Sequence, residues 1–455
     1  MTKPLPPGTQ ASFCVRLVGV ALATFLLAGC GMFDWLGLDS EDDKPKLPGN
    51  RISVLQYDQQ VEPDPSLTNR PVTLPSPVAN PDWAQPGGVP THSVGHLALG
   101  GNLRQAWRAS VGGSSSTERL LGNPVVAGGR LYQLDVDYDL HAFDAASGRS
   151  IWKVNVKRKD QEGEAIGGGV TFADGKLYVT TGFGEVLAVS PDTGSVLWRQ
   201  RIAGPIRSAP TVAEGRVFVV TVDNQFIVLG AADRVLQWTQ TGILEPTAML
   251  GGSSAAIEND IVVVPYSSGE LYALHIENGR EAWLDSLSSL RRGTNLTGLS
   301  DIKGLPVIDH GTVYAVSFSG RTAAIDVRTG QRLWEQDVGG LETPWVAGDW
   351  LFMVTNEAQL IAMTRDGGRV RWIQQLQRYE DPKDRKSTPV IWTGPVLAGG
   401  RLILANNMGE MIEASVEDGH ILKKTDLPGA VKVAPIVADN TLYVLTDDGD
   451  IVAYR

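Results

Sequence analysis

From Leu103 to the C-terminus, apolar residues fall in short runs, such as Leu177-Tyr178-Val179-Thr180 and Val186-Leu187-Ala188-Val189, separated by polar turns rich in Gly and Asp. Runs of this length and pattern predict half-buried β-strands. They recur in sets of four. Each set opens on a small residue or Pro, passes through a Leu-Tyr-Val-like strand and a polar pair with Gly, and reaches a further strand. A Thr-Gly-like turn follows, and the last strand closes on Trp. Residues 124–152, 170–198, 210–238, 255–283, 306–334 and 344–372 fit this pattern, each 29 residues long, and 395–423 matches in length with Lys423 at the tryptophan position. An eighth copy opens at Pro435, and the chain ends at Arg455 before its closing strand.

A repeat with a fixed period is a stack of identical units. The unfinished last copy has a complement at the front, because Leu103-Arg104-Gln105-Ala106-Trp107 reads as a closing strand with nothing repeat-like before it. Pairing the two ends makes a ring and removes the sheet edges that would otherwise invite aggregation. The expectation is an all-β, eight-bladed β-propeller over residues 102–455, closed by its N-terminal strand. Within each unit the glycines of Asp192-Thr193-Gly194, Arg328-Thr329-Gly330 and Glu417-Asp418-Gly419 suit tight turns at positive φ. Each tryptophan offers a flat surface for the gap between blades, and its N–H can reach a backbone carbonyl. Linkers between units vary more than the units do, from nine residues between Trp334 and Pro344 to 22 between Trp283 and Pro306. Long insertions on a rigid scaffold are where function tends to sit.

The first hundred residues read differently. Lys3 and Arg16 precede an apolar run from Leu17 to Ala28, too short for a bilayer span, which needs roughly 20 residues, and of the length of a signal-peptide core. Leu27-Ala28-Gly29-Cys30 then resembles the lipobox of bacterial lipoproteins, which implies a signal peptide over 1–29 and a lipid on Cys30. Gly31, rather than Asp, after that cysteine implies export to the outer membrane by the same resemblance. Several acyl chains would anchor it firmly, where one alone binds only marginally. Residues 30–101 are rich in Pro, Asp and Asn without periodicity and read as a flexible, extended tether. Two stretches within it are apolar enough to dock, residues 47–55 and Asn80-Pro81-Asp82-Trp83.

The net charge of −11 opposes binding to nucleic acid or anionic lipid. Both cysteines, Cys14 and Cys30, precede the body, so the repeats hold neither a disulfide nor a Cys-ligated metal.

The Gly-x-Leu/Val-x-Ala-x-Asp-x-x-Thr-Gly-x-x-x-Trp pattern, clearest from Gly320 to Trp334, resembles the pyrroloquinoline-quinone propeller repeat. That repeat is shared by quinoprotein dehydrogenases and by non-enzymatic proteins. Joined to a lipoprotein signal and eight copies, it resembles the BamB family of the outer-membrane β-barrel assembly machinery. The resemblance implies a non-enzymatic scaffold, lipid-anchored on the periplasmic face of the outer membrane, that binds BamA and other subunits of the machinery. Unfolded outer-membrane proteins would be clients, held by exposed strand edges through β-augmentation. It also implies a partner surface. Leu299-Ser300-Asp301 matches a family Leu-Ser-Asp segment that meets BamA, and Ala248-Met249-Leu250-Gly251 falls on a Leu-x-Leu-Arg-Gly segment. This chain departs from the pattern where Leu250 replaces an Arg and Lys303 replaces a second Asp. The candidate partner-binding residues are therefore Met249, Leu250, Gly251, Ser300, Asp301 and Lys303, on linkers expected to be neighbours on one face.

Two alternatives are a quinoprotein dehydrogenase and a periplasmic propeller that binds a ligand or peptidoglycan in its channel. A dehydrogenase of that kind commonly uses a vicinal disulfide and a calcium-binding cluster of Glu, Asn and Asp. The body lacks cysteine, and no such cluster is evident. Gly167-Gly168-Gly169 and Gly251-Gly252-Ser253-Ser254 lack the Lys-Ser/Thr and helix of a phosphate loop. His92 and His96 would share a face only on a helix, which Pro90 and Gly95 oppose, and His141 and His275 stand isolated in strands. No Gly-x-Ser-x-Gly elbow occurs in a strand-to-helix setting. The expectation is no catalytic residue, cofactor or metal.

Overall fold

Strand alternation and turn chemistry build eight antiparallel sheets of four strands each. A computed structural model describes residues 61–115, 119–245, 249–288 and 300–455. In chain order, the inner strands of blades 1 to 8 are Val125–Ala127, Gly168–Ala173, Thr211–Ala213, Ala256–Glu258, Val307–Asp309, Trp345–Ala347, Trp392–Ala398 and Ile436–Ala438. Inner strands of successive blades lie against one another and ring a central channel. Between blades the cores are apolar. Val307, Tyr314 and Ala324 of blade 5, for example, pack on Val346, Leu351 and Ile361 of blade 6.

Ring closure is as the repeat register predicts. The strand Gln105–Ser110 is the outer strand of blade 8, beside Asp450–Tyr454. Arg104 and Arg455 exchange both backbone hydrogen bonds, at 2.8 and 3.0 Å, and the Arg108 and Ser110 side chains both bond the carboxylate of Asp450.

The tryptophans bind each blade to the next. Trp107, Trp152, Trp198, Trp238, Trp283, Trp334 and Trp372 each donate Nε1–H to a backbone carbonyl in the last turn of the following blade, at Ala145, Pro191, Ala231, Ile276, Val327, Arg365 and Val416. In six of these turns the ring lies directly over a glycine, and in blade 3 Arg234 holds that position at φ +59°. A Cβ on Gly330 would fall 2.6 Å from the Trp283 ring, and one on Gly279 2.5 Å from the Trp238 ring. These glycines are required twice over, by positive φ and by contact. Lys423 has a physical reason as well. Blade 8 is made from both chain ends, so it has no turn for a tryptophan of blade 7 to cover. Lys423 instead faces Glu413, 3.6 Å away, which is buried against Arg401.

One expectation is corrected. The sequence reading extends the tether to residue 101, but residues 61–101 are packed on the propeller, with Leu67, Val72, Trp83, Leu97 and Leu99 buried. From Asn80 to Leu97 the chain circles one mouth of the channel and touches every blade in turn. Asn80 accepts from Asp439 N–H of blade 8, Trp83 exchanges two backbone bonds with Val126 of blade 1, and Ala84 accepts from Phe172 of blade 2. Gln85 Oε1 takes Val212 N–H of blade 3, Pro90 and Thr91 accept from Ile257 and Ile308 of blades 4 and 5, and Gly95 accepts Trp345 Nε1–H of blade 6. Leu97 closes the circuit on Leu397 and Gly399 of blade 7. The cause is unmet polarity, because the inner edge of an innermost strand has no further strand to pair with, and buried N–H groups demand partners. Asn80–Trp83 docks as expected, whereas residues 47–55 and Cys30 lie outside the described residues.

Candidate functional site: the open mouth of the channel

Residues 80–97 meet the inner strands at their C-terminal ends, so the segment closes that side. The linkers that lead into the inner strands surround the other side, which is open among the described residues. Between them lies a pocket of about 190 Å³. Its floor is Trp83 of the closing segment, stacked on Trp345 of blade 6 at 6.4 Å between ring centres and 21° between planes. His92 is buried beneath. Burial pushes its imidazole down to about 4, against the raising effect of its hydrogen bond to the Pro306 carbonyl. It is therefore neutral at neutral pH, with Nδ1–H donating to that carbonyl at 2.7 Å.

The predicted partner residues gather at the open mouth. Asp301 joins the two linkers, accepting Met249 N–H at 3.0 Å through Oδ2, while its own carbonyl accepts Phe318 N–H at 2.9 Å. Burial raises the Asp301 carboxyl above the usual range, and the Met249 N–H, Lys303 and Arg207 partly offset this. Arg207 also bonds the Met249 carbonyl, at 3.3 Å. The backbone of Met249 is thus held at both ends, and Leu250 next to it is 49% exposed. Gly251 has φ +99° and lies beside Lys303, whose Cε would be 3.2 Å from a Cβ there. Ser300 packs on Gly269, and Lys303 lines the pocket with Leu250. Asp301, one of the candidate partner-binding residues, is buried at 7% exposure and holds the Met249 backbone beside Leu250.

Sequence reasoning misses two further residues. Ile243 and Leu244, in the same linker as Leu250, are 59% and 68% exposed. The backbone at Ile243 is pinned, its N–H donating to Glu270 Oε2 at 2.7 Å and its carbonyl accepting from Asn224 at 2.6 Å. The available signal was two adjacent aliphatics in a polar linker just past a strand end.

Chemistry elsewhere is structural. Among the described residues, Asp135, Asp139 and His141 alone have metal-like spacing. Asp135 is satisfied by the N–H groups of Gly112, Asp137 and Asp139 and by His141 Nε2, and Asp139 pairs with Lys153 at 2.6 Å. This network locks a turn. A quinone with its cation does not fit the channel either. Glu342, the pocket's single carboxylate among the described residues, has Lys303 as its compensating charge, so the lining does not supply the acidic cluster that would hold such a cation.

The fold and site define a propeller of the quinone-type repeat with exposed aliphatic side chains on its linker face. Residues 101–162, 136–374 and 378–455 match the family model described as outer membrane protein assembly factor BamB. The chain belongs to the BamB family. It is 30% identical over 353 residues to the outer membrane protein assembly factor BamB of Salmonella typhimurium, covering 76% of this chain and 87% of that one. Among solved structures, BamB from Moraxella catarrhalis superposes with TM-score 0.66 at 18% identity, covering 78% of this chain and all of that one. Quinohemoprotein alcohol dehydrogenase from Comamonas testosteroni superposes with TM-score 0.63 at 14% identity, covering 82% and 80%, a likeness of fold.

Proposed function

We propose that this protein is a non-enzymatic scaffold of outer-membrane protein assembly that docks BamA on the linker face of its propeller. Family membership supports the assembly role and a place at the outer membrane. The observation that carries the docking surface is the trio Ile243, Leu244 and Leu250, exposed aliphatics on a backbone held by Glu270, Asn224, Asp301 and Arg207. Rigid presentation lowers the ordering cost of association, and an apolar anchor in an interface carries much of the affinity. Asp301 and Ser300 serve this surface by shaping it, and Lys303 supplies a charge at its edge. Extended barrel precursors would pair with the free outer edges of the blades, where Leu197 and Leu236 stand exposed.

Leu244→Arg with Leu250→Arg is expected to abolish co-purification of BamA from membranes. The melt of the isolated protein should hardly change, since surface substitutions typically alter stability by no more than about 0.5 kcal/mol. Undiminished recovery of BamA with an unchanged melt overturns the surface. The lipid anchor has its own test. Cys30→Ala is expected to leave an uncleaved or soluble protein, and its normal fractionation with the outer membrane would rule the anchor out.

A further inference from the structure

We propose that the pocket beside the linkers receives one tyrosine or tryptophan side chain, carried on a loop of the protein that docks there. This rests on the docking surface described above and adds the chemistry of what enters. Residues 80–97 floor the channel, so among the described residues the pocket is approached from the linker face. Leu250 and Lys303 belong both to the linker surface and to the pocket wall, so a partner seated on the linkers stands over the opening.

Volume selects the size of the guest. About 190 Å³ suits a single aromatic side chain, since an apolar cavity of about 150 Å³ takes up benzene. The stacked pair Trp83 and Trp345 supplies an aromatic floor for offset packing. A polar tip is selected by Glu342. It sits in the pocket wall, and among the described residues its hydrogen bond is from Gly394 N–H at 3.2 Å. Burial raises its carboxyl above the usual range while Lys303 and the Gly394 N–H partly offset this. Such a group retains acceptor capacity for the O–H of a tyrosine or the N–H of a tryptophan. Aromatic residues with a polar handle are also the side chains most enriched among interface anchors.

The test uses the full mature chain and the purified periplasmic domains of BamA. Leu305 lines the pocket partly buried and belongs to none of the buried clusters, so Leu305→Trp fills the space without opening the core. It is expected to weaken binding at least about thirtyfold, the factor that loss of an anchor residue produces. Leu305→Met, of similar volume, should leave affinity unchanged. An independent arm needs no variant. Millimolar 4-methylphenol should compete with the BamA domains for the wild-type protein. If Leu244→Arg with Leu250→Arg abolishes binding while Leu305→Trp and 4-methylphenol leave it unaltered, the docking surface stands and the pocket proposal falls. If 4-methylphenol binds without competing, the pocket is a small-molecule site and the proposal is likewise overturned. If neither set of substitutions weakens binding, the docking surface itself is wrong.

Discussion

Deleting residues 31–110 is expected to abolish the cooperative melt of the propeller, and deleting 31–101 to lower its midpoint by at least about 5 °C. The two truncations remove different things. The longer one takes away the outer strand of blade 8, with its ladder along Asp450–Tyr454, Trp107 over the first blade, and the Arg108 and Ser110 bonds to Asp450. Blade 8 is left with three strands and an open apolar edge, the condition that promotes aggregation. The shorter one spares closure but strips the circuit of residues 80–97 and exposes what Val72, Trp83, Leu97 and Leu99 cover. Burying such side chains is worth roughly 1.5–3 kcal/mol each, and about 4 kcal/mol of net loss shifts the midpoint by about 5 °C in a ring of this size. It also removes one partner of Arg401, whose guanidinium bonds the Gly100 carbonyl at 2.6 Å as well as Glu413. A deletion confined to 31–60 is the comparison and should leave the melt unchanged. Calorimetry of the three proteins decides. Equal midpoints for all three would refute both the strand closure and the stabilising role of residues 61–101.

The second large effect concerns the tryptophan–glycine contacts. Trp283→Ala is expected to cost about 3–5 kcal/mol, which lowers the midpoint by roughly 4–7 °C. Trp283 is buried, donates to the Val327 carbonyl at 2.8 Å and covers Gly330, so its loss leaves a cavity between blades 4 and 5 and a carbonyl without its donor. Gly330→Ala attacks the same contact from the other side. It places a methyl 2.6 Å from the indole and forces alanine to φ +72°, so it should also destabilise by more than 1 kcal/mol. The discriminating variant is Lys423→Trp. If tryptophan at this repeat position were stabilising in itself, the change would raise the midpoint. The expectation is no gain, because blade 8 has no turn to receive the ring and Glu413 loses a cation. A stabilised Lys423→Trp protein would refute the assignment of the tryptophans to turn-covering.

Much of this architecture was legible before any coordinates. The constant 29-residue unit, the Thr-Gly turns and the tryptophan at each unit's end are local signals, written by strand alternation, positive φ and the volume of one side chain. Ring closure followed as well, since an orphan closing strand and an unfinished unit are two halves of a single blade. The likeness of the linkers at Met249 and Asp301 pointed to a shared surface, and Asp301 Oδ2 does hold Met249 N–H. What the sequence concealed has a common physical cause. Residues 80–97 bond six of the eight blades through backbone groups on both sides and the other two through the Gln85 and Trp345 side chains, and main-chain hydrogen bonds impose no periodicity on side chains, so a segment that seals the channel reads as a proline-rich tether. Burial of Asp301, exposure of Ile243 and Leu244, and the meeting of Trp83 with Trp345 likewise depend on where separate blades bring their linkers. The repeat determined the ring from within each unit; which groups line its mouth, and which end of the channel is shut, was decided only when the ring closed and left eight inner strand edges in need of partners.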